Sequence, residues 1–415
     1  MKNYLNINLI FIPIFYFCLV SILISEQAVN YEKPQNRKAS SFLNKELLKG
    51  PHYQIRENVV TYGYMDHFTV ESDYDVFEVT GDHALIKLLK EIAAITELKK
   101  IQDTDAYVQA VKQAGKAPID FGASLITDPV DTVSSVPKGA FSMLHNIKEG
   151  ITSDSDPSED STTKQILAVS STKRQYAYDL GVDVYSSNPV LQKELNRIGW
   201  AAAIGGLSVS IATLPLGGAF VVIKAAKMGE QLRNTLKDYP PSKLRIINKE
   251  KLIKMEVPEE LTESFLNHPN YTPWHDTIIT ATLFRLGGTT GISNFVTFAL
   301  SANDEVDANF VTDMAQTLRN YHLSVEQIKT IKVFETFVLA ETKSGKTIIP
   351  FPLDHGVWTR RAEKIFDTLI SENPKYKGKF ELWVTGTLSD RAKKELSARQ
   401  IKVMEDIDKK YEYIY

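Results

Sequence analysis

Asp354 and His355 stand side by side near the carboxyl end, with Arg360 and Arg361 just beyond them. A carboxylate, an imidazole and two guanidinium groups are the parts of a hydrolytic site: an acid–base pair plus an anion stabiliser. These four are the candidate catalytic residues. Adjacent residues on a helix do not face each other, so the pair is not a ready dyad. Asp354 also suits the N-cap of a helix running to about Ile370. His275–Asp276 has the same limitation. The eight histidines are scattered singly, with no H-E-x-x-H or other metal-ligand spacing. No metal and no cofactor is expected.

Other spacings that suggest chemistry have plainer explanations. Ser135–Lys138, Ser161–Lys164 and Ser170–Lys173 place a lysine three positions after a serine, the arrangement of a serine nucleophile with its base. Composition alone yields about two or three such matches in a chain this size, so they carry almost no information. Lys343–Ser344–Gly345 reads as a hairpin turn. Asp154 and Asp156 invite calcium, but Glu159 and Gln165 stand where an EF-hand loop needs glycine and glutamate. Thr385–Gly386–Thr387 lies between a strand and a helix start, where free N–H groups hold anions, yet it lacks a phosphate-loop pattern. Gly287 to Gly291 reads as a break between two helices.

The strongest handle is physical rather than chemical. Gly199 to Ile223 is a run of 25 positions without a charged side chain. A bilayer crossing takes about 20 apolar residues. Ten strong apolar residues contribute about -3 to -6 kcal/mol on an insertion scale, offset by glycines, hydroxyls and a central proline. Pro215 with Gly217 and Gly218 divides the run into two halves of core-helix length. Gly205, Gly206, Gly217 and Gly218 permit close approach of a neighbouring helix. The run therefore reads as a glycine-rich apolar hairpin, with Gly205, Gly206, Pro215, Gly217 and Gly218 contacting a membrane, a partner protein or the chain's own core. Tyr176, Tyr178 and Tyr185, just upstream, suit either a membrane interface or a domain junction.

Lys2 followed by an apolar stretch from Leu9 to Ile24 has the layout of a secretory signal, expected to end near residue 28. Cys18, the only cysteine, lies inside it. A cleaved chain has no thiol, which excludes disulfides, thiolate catalysis and cysteine–zinc sites. The net charge of -3 gives no reason to expect nucleic acid.

The expected fold class is α+β. Residues 29–150 form an amino-terminal α+β region, with strands over IRENVVTYGYM and FTVESDYDVFEVT joined near Asp66–His67. A helix opens at Gly81–Asp82, another spans Asp105 to Gly115, and a third begins near Pro129. Residues 151–165 read as an acidic, serine-rich linker. Residues 166–323 form a predominantly helical central region holding the apolar hairpin. Its helices start near Pro241, Pro258 and Pro273, and another spans Asp304 to His322. Residues 324–415 return to α+β: strands over Val333–Ala340 and Thr347–Phe351 flank the KSGK turn, and a β-α-β unit with parallel strands follows. The composite expectation is an exported periplasmic or cell-envelope protein acting by binding or membrane association. A cell-envelope hydrolase and a structural assembly component are the alternatives.

Overall fold

The computed structural model describes residues 31–34, 36–114, 157–208, 227–335 and 337–414. The described residues form a mixed α+β fold, with helices alone between the amino-terminal and carboxyl-terminal sheets. Its amino-terminal unit contains β1 (Asn36–Lys38), α1 (Lys45–Leu48), β2 (Lys49–Gly50), β3 (Tyr53–Ile55), β4 (Asn58–Tyr62), β5 (Met65–Ser72) and β6 (Val76–Thr80). The strands form one sheet in the order β1-β4-β5-β3-β2, with β6 also on β5. Strand period 2 sets its inner face: Asp66, Phe68 and Val70 of β5 are buried, as are Val59 and Thr61 of β4. The β4–β5 turn falls at Gly63–Tyr64, both with positive φ, rather than near Asp66–His67. A two-residue loop of that kind matches the strand twist.

The second helix, α2 (Asp82–Gln102), joins two cores. Leu85, Leu88, Leu89 and Ile92 pack on the sheet with Phe68 and Val70. Ala94, Ile95, Leu98 and Ile101 pack instead among helices. Those helices are α3 (Asp105–Ala114), α4 (Pro157–Leu180) and α5 (Pro189–Gly205). The segment expected as a linker over 151–165 is therefore helical from Pro157 onward. Proline is well suited to a first helical turn, which the acidic composition obscured. The helix expected near Pro129 lies outside the described residues, as do Asp154, Asp156 and the Ser135–Lys138 pair.

Next come α6 (Lys227–Asp238), α7 (Pro241–Lys254), α8 (Glu259–Leu266), α9 (Pro273–Phe284), α10 (Ile292–Ala299) and α11 (Glu305–Ser324). Pro241 and Pro273 sit in first turns, as their sequence positions predict. Thr272 and His275 form a reciprocal capping box at the start of α9. The centre of the molecule is α11, whose residues from Val311 to His322 are all buried. Gln316, Thr317, Arg319 and Asn320 hold the carboxyl-terminal segment there. Gln316 exchanges two hydrogen bonds with the backbone of Ile414, and Arg319 and Asn320 donate to the Glu412 carbonyl.

The last unit contains β7 (Ile328–Phe334), β8 (Phe337–Thr342), β9 (Thr347–Pro350), β10 (His355–Gly356), α12 (Arg360–Glu372), β11 (Phe380–Trp383), β12 (Thr387–Leu388), α13 (Asp390–Ala398), β13 (Lys402–Met404) and α14 (Ile407–Lys410). Its main sheet has the order β13-β11-β9-β8-β7. Alternation splits β8 between two layers: Val338 and Ala340 face α11, while Phe337 and Leu339 face α12 and α13. The single strand expected over Val333–Ala340 is really the end of β7, a turn at Glu335 with positive φ, and the start of β8. The KSGK turn is as expected, with Gly345 at φ 87°. Strands β11 and β13 are parallel, as the β-α-β reading requires, and β9 and β11 form a second parallel pair across α12.

Candidate functional site

Asp354 does not cap the helix that follows it. Thr359 takes that role, accepting from Ala362 N–H at the start of α12. The Asp354 carboxylate instead reaches the amino-terminal unit, accepting from Asp82 N–H at 3.1 Å and from Asp66 N–H at 2.7 Å. Its own N–H donates to the Tyr64 carbonyl. Asp354 is thus the cap of α2, supplied across the fold. The local reason is the β10–β12 pairing, which turns the loop after β9 toward the amino-terminal sheet.

Three carboxylates meet at this seam. Asp66, Asp82 and Asp354 each present an oxygen within 4.8 Å of the others. Thr61 Oγ1 donates to Asp66 at 2.6 Å, and Arg37 pairs with the other Asp66 oxygen. Asp82 Oδ1 is buried without a hydrogen-bond partner among the described residues. Burial, reinforced by Asp66, pushes the Asp82 carboxyl up to about 6. Burial and Asp82 push Asp354 well up from the ordinary carboxylate range. These are the residues of the described fold whose geometry could hold a cation. Their donors are already in place, however: Asp354 receives two backbone N–H groups, and Asp66 receives Thr61 and Arg37. The arrangement is a hydrogen-bonded clasp between the first and last units.

His83 extends the polar seam. Its imidazole contacts Asp313 at 2.7 Å and Asp408 at 3.5 Å. Burial opposes the charged form, but the two carboxylates outweigh it and raise His83 to about 10. His355 turns away from Asp354 to Thr387 Oγ1 at 3.0 Å, and burial lowers its basicity. Arg360 and Arg361 are exposed on the first turn of α12. The four candidate catalytic residues are therefore not brought together. The basic group at the seam is Arg37, which no sequence spacing marks. The Thr385–Gly386–Thr387 loop offers no free anion cradle: Gly386 N–H donates to the Leu353 carbonyl and Thr387 N–H to that of Asp354.

The apolar run is divided between described and undescribed residues. Helix α5 carries its first part and ends at Gly206 in the left-handed conformation. Ala201 and Leu207 are buried among Leu98, Ala110 and Leu195. At Gly205 an added Cβ would lie 2.0 Å from the Ala110 carbonyl oxygen, so the close approach is to α3 of the same chain. Pro215, Gly217 and Gly218 lie outside the described residues. No helix among the described residues is long and apolar enough to cross a membrane.

A concave surface larger than the small one at the seam lies between α2, α4, α6 and the segment 412–414. This groove has a volume of about 160 Å³ and is lined by Lys90, Arg174, Tyr178, Arg233, Lys237 and Trp274, with Asp183 and Glu412 as its acids. Arg174 is 8% exposed. Its Nε donates to the Lys237 carbonyl and its Nη1 to Ser170 Oγ, each at 2.9 Å. Arg233 donates to the Tyr178 carbonyl at 2.8 Å. The Arg233 and Lys237 cations lie 4.9 and 4.6 Å from the Tyr178 ring centroid. Asp183 is already engaged by Lys87 and by the Tyr185 N–H. Burial lowers the Arg174 pKa, while burial and the nearby Arg233 lower that of Lys90. Tyr178 was singled out in the sequence as suiting either a membrane interface or a domain junction; both cations over its ring come from α6. No family model, curated protein or solved structure matches this chain.

Proposed function

We propose that the protein is an exported envelope component that acts by binding, and that its ligand is an anion held in the basic groove. The observation that supports this is Arg174: a buried guanidinium whose hydrogen bonds go to a carbonyl and a hydroxyl, beside three further cations. A buried charge among neutral hydrogen-bond partners is costly; Asp238 offsets part of that cost, and an incoming anion offsets more. The hydrolase alternative rests on Asp354 and His355, whose side chains serve different partners.

Contact with a membrane or partner protein through the apolar run belongs to the same proposal, in a narrower form. With α5 inside the protein's own core, the uncharged remainder is 209–223. At 1.5 Å per residue these positions would extend about 22 Å as a helix, short of the ~30 Å hydrocarbon layer. The segment suits peripheral insertion or a protein contact better than a full crossing.

Two measurements test the reading. Acetate, sulfate and phosphate, added at constant ionic strength, should raise the melting temperature of the wild type more than that of the R233A/K237A double variant. Equal responses in the two proteins would refute the groove. Alkaline carbonate washing of membranes should release the protein, because nothing described in it spans a bilayer. Full retention would overturn the peripheral reading.

A further inference from the structure

The groove also constrains the chemistry of its ligand, an inference that rests on the groove being the binding site. Four cationic side chains line it against two acids, and Lys237 also pairs with Asp238 at 3.4 Å. Of those acids, Asp183 is matched by Lys87 on its far side. The cations approach from three directions: Lys90 from α2, Arg174 from α4, and Arg233 with Lys237 from α6. A carboxylate presents its two oxygens in one plane and a single negative charge. A phosphate group presents oxygens tetrahedrally and carries about -1.5 to -2 near neutral pH. Guanidinium groups provide planar forks that match such oxygens in pairs, and Arg174 and Arg233 retain donors beyond the bonds described above.

We infer that the ligand bears a phosphate group, held between Arg174 and Arg233 and flanked by Lys90 and Lys237. Tyr178 forms the floor under Arg233 and Lys237, fixing two of the cations in place before the ligand arrives. Trp274, which also lines the groove and packs against Leu232 and Leu236 of α6, gives the non-phosphate part of a monoester an apolar surface. Glu412 is the acid that opposes binding. It comes close to the first turns of α6, where an added Cβ on Gly229 would lie 2.9 Å from its Oε1. The same chemistry fits free phosphate or the monoester headgroup of a phosphatidic-acid surface.

Calorimetry on the full-length mature protein distinguishes these cases, with inorganic phosphate, acetate, phosphatidylcholine vesicles and phosphatidylcholine vesicles carrying phosphatidic acid as probes. Phosphate or the phosphatidic-acid vesicles should bind at least about tenfold more tightly than acetate or plain vesicles, as expected for several charge-assisted bonds. Binding of inorganic phosphate identifies a soluble ligand; binding of phosphatidic-acid vesicles alone identifies a headgroup. The R233A/K237A variant should lose about tenfold or more, and Glu412→Gln should gain about fivefold. Arg174→Lys keeps the charge but loses the fork, and should weaken phosphate more than acetate. Circular dichroism melts verify that each variant is folded. Equal affinity for acetate and phosphate, both weakened in R233A/K237A, would leave the groove a binding site and overturn the phosphate assignment. Absence of binding by every probe, or binding unchanged in R233A/K237A, would overturn both.

Discussion

Replacing Asp82 with asparagine should stabilise the protein at neutral and alkaline pH and leave it unchanged in acid. Asp82 sits at the first position of α2, with Asp66 and Asp354 within 4.8 Å. Burial, reinforced by Asp66 and Asp408, raises its carboxyl from the ordinary 3.8 to about 6. A raised carboxyl binds its proton more tightly in the folded state than in the unfolded chain. The stability belonging to the protonated form is therefore complete below pH 3.8 and lost progressively as pH rises to about 6. The loss amounts to about 3 kcal/mol at most, at 1.36 kcal/mol per pK unit. Some is returned by the favourable place of an anion at a helix start, about 0.3–1 kcal/mol. Asp82→Asn should then gain about 2 kcal/mol at pH 8 and nearly nothing at pH 4. His83 acts in the opposite sense, since its cation lowers the Asp82 carboxyl within the net rise to about 6; its own stabilisation falls as pH climbs from 6.5 toward about 10. Urea unfolding of wild type and variant at pH 4, 6 and 8 gives the difference directly. A gain that is the same at every pH, or a loss at pH 8, would show that the seam does not hold three mutually repelling carboxyls.

Two further substitutions probe the frame around this seam and the apolar run. Asp354→Ala removes the acceptor of two buried backbone N–H groups, and should cost about 2–4 kcal/mol in urea unfolding by combining a lost cap with unsatisfied donors. Asp354→Asn, which keeps one acceptor oxygen, should lose less than Asp354→Ala; equal losses would refute the capping role. Gly205→Ala would put a methyl 2.0 Å from the Ala110 carbonyl, and should lower stability by about 1–3 kcal/mol through overpacking against α3. A neutral result there would mean that the α3–α5 contact is not as close as the structure places it.

Much of the frame was legible because it rests on local signals. Prolines at Pro241 and Pro273 marked helix starts, Gly345 marked a hairpin, and the β-α-β pattern of the last unit implied parallel strands. Boundaries failed where a residue of uncommon geometry carried the turn. Glu335 adopts positive φ with a glutamate side chain, so the break between β7 and β8 left no glycine to read. The β4–β5 turn did have one, in Gly63. The acidic stretch after residue 151 was misread because solvated composition does not preclude helix once a proline starts it. The role of Asp354 was illegible for a different reason: its cap is on a helix that begins 272 positions earlier.

One signal for the seam was present in the sequence and passed over. The dipeptide Asp-His occurs three times, at 66–67, 82–83 and 354–355, and each aspartate enters the cluster while each histidine turns elsewhere. Their positions explain why. Asp66 lies on the buried face of β5 by strand alternation, Asp82 opens α2, and Asp354 precedes β10. The three elements converge there. The groove had no comparable trace. Lys90, Arg174, and Arg233 with Lys237 look like ordinary surface cations in three sequence contexts, since long basic side chains cover helix faces in most proteins. Only packing of α4 against α6 turns Arg174 inward and stacks two cations on Tyr178. Cations gathered from separate helices, one of them a buried guanidinium hydrogen-bonded to neutral groups, repel one another in the folded state, and a bound anion is the physical agent that would offset that cost.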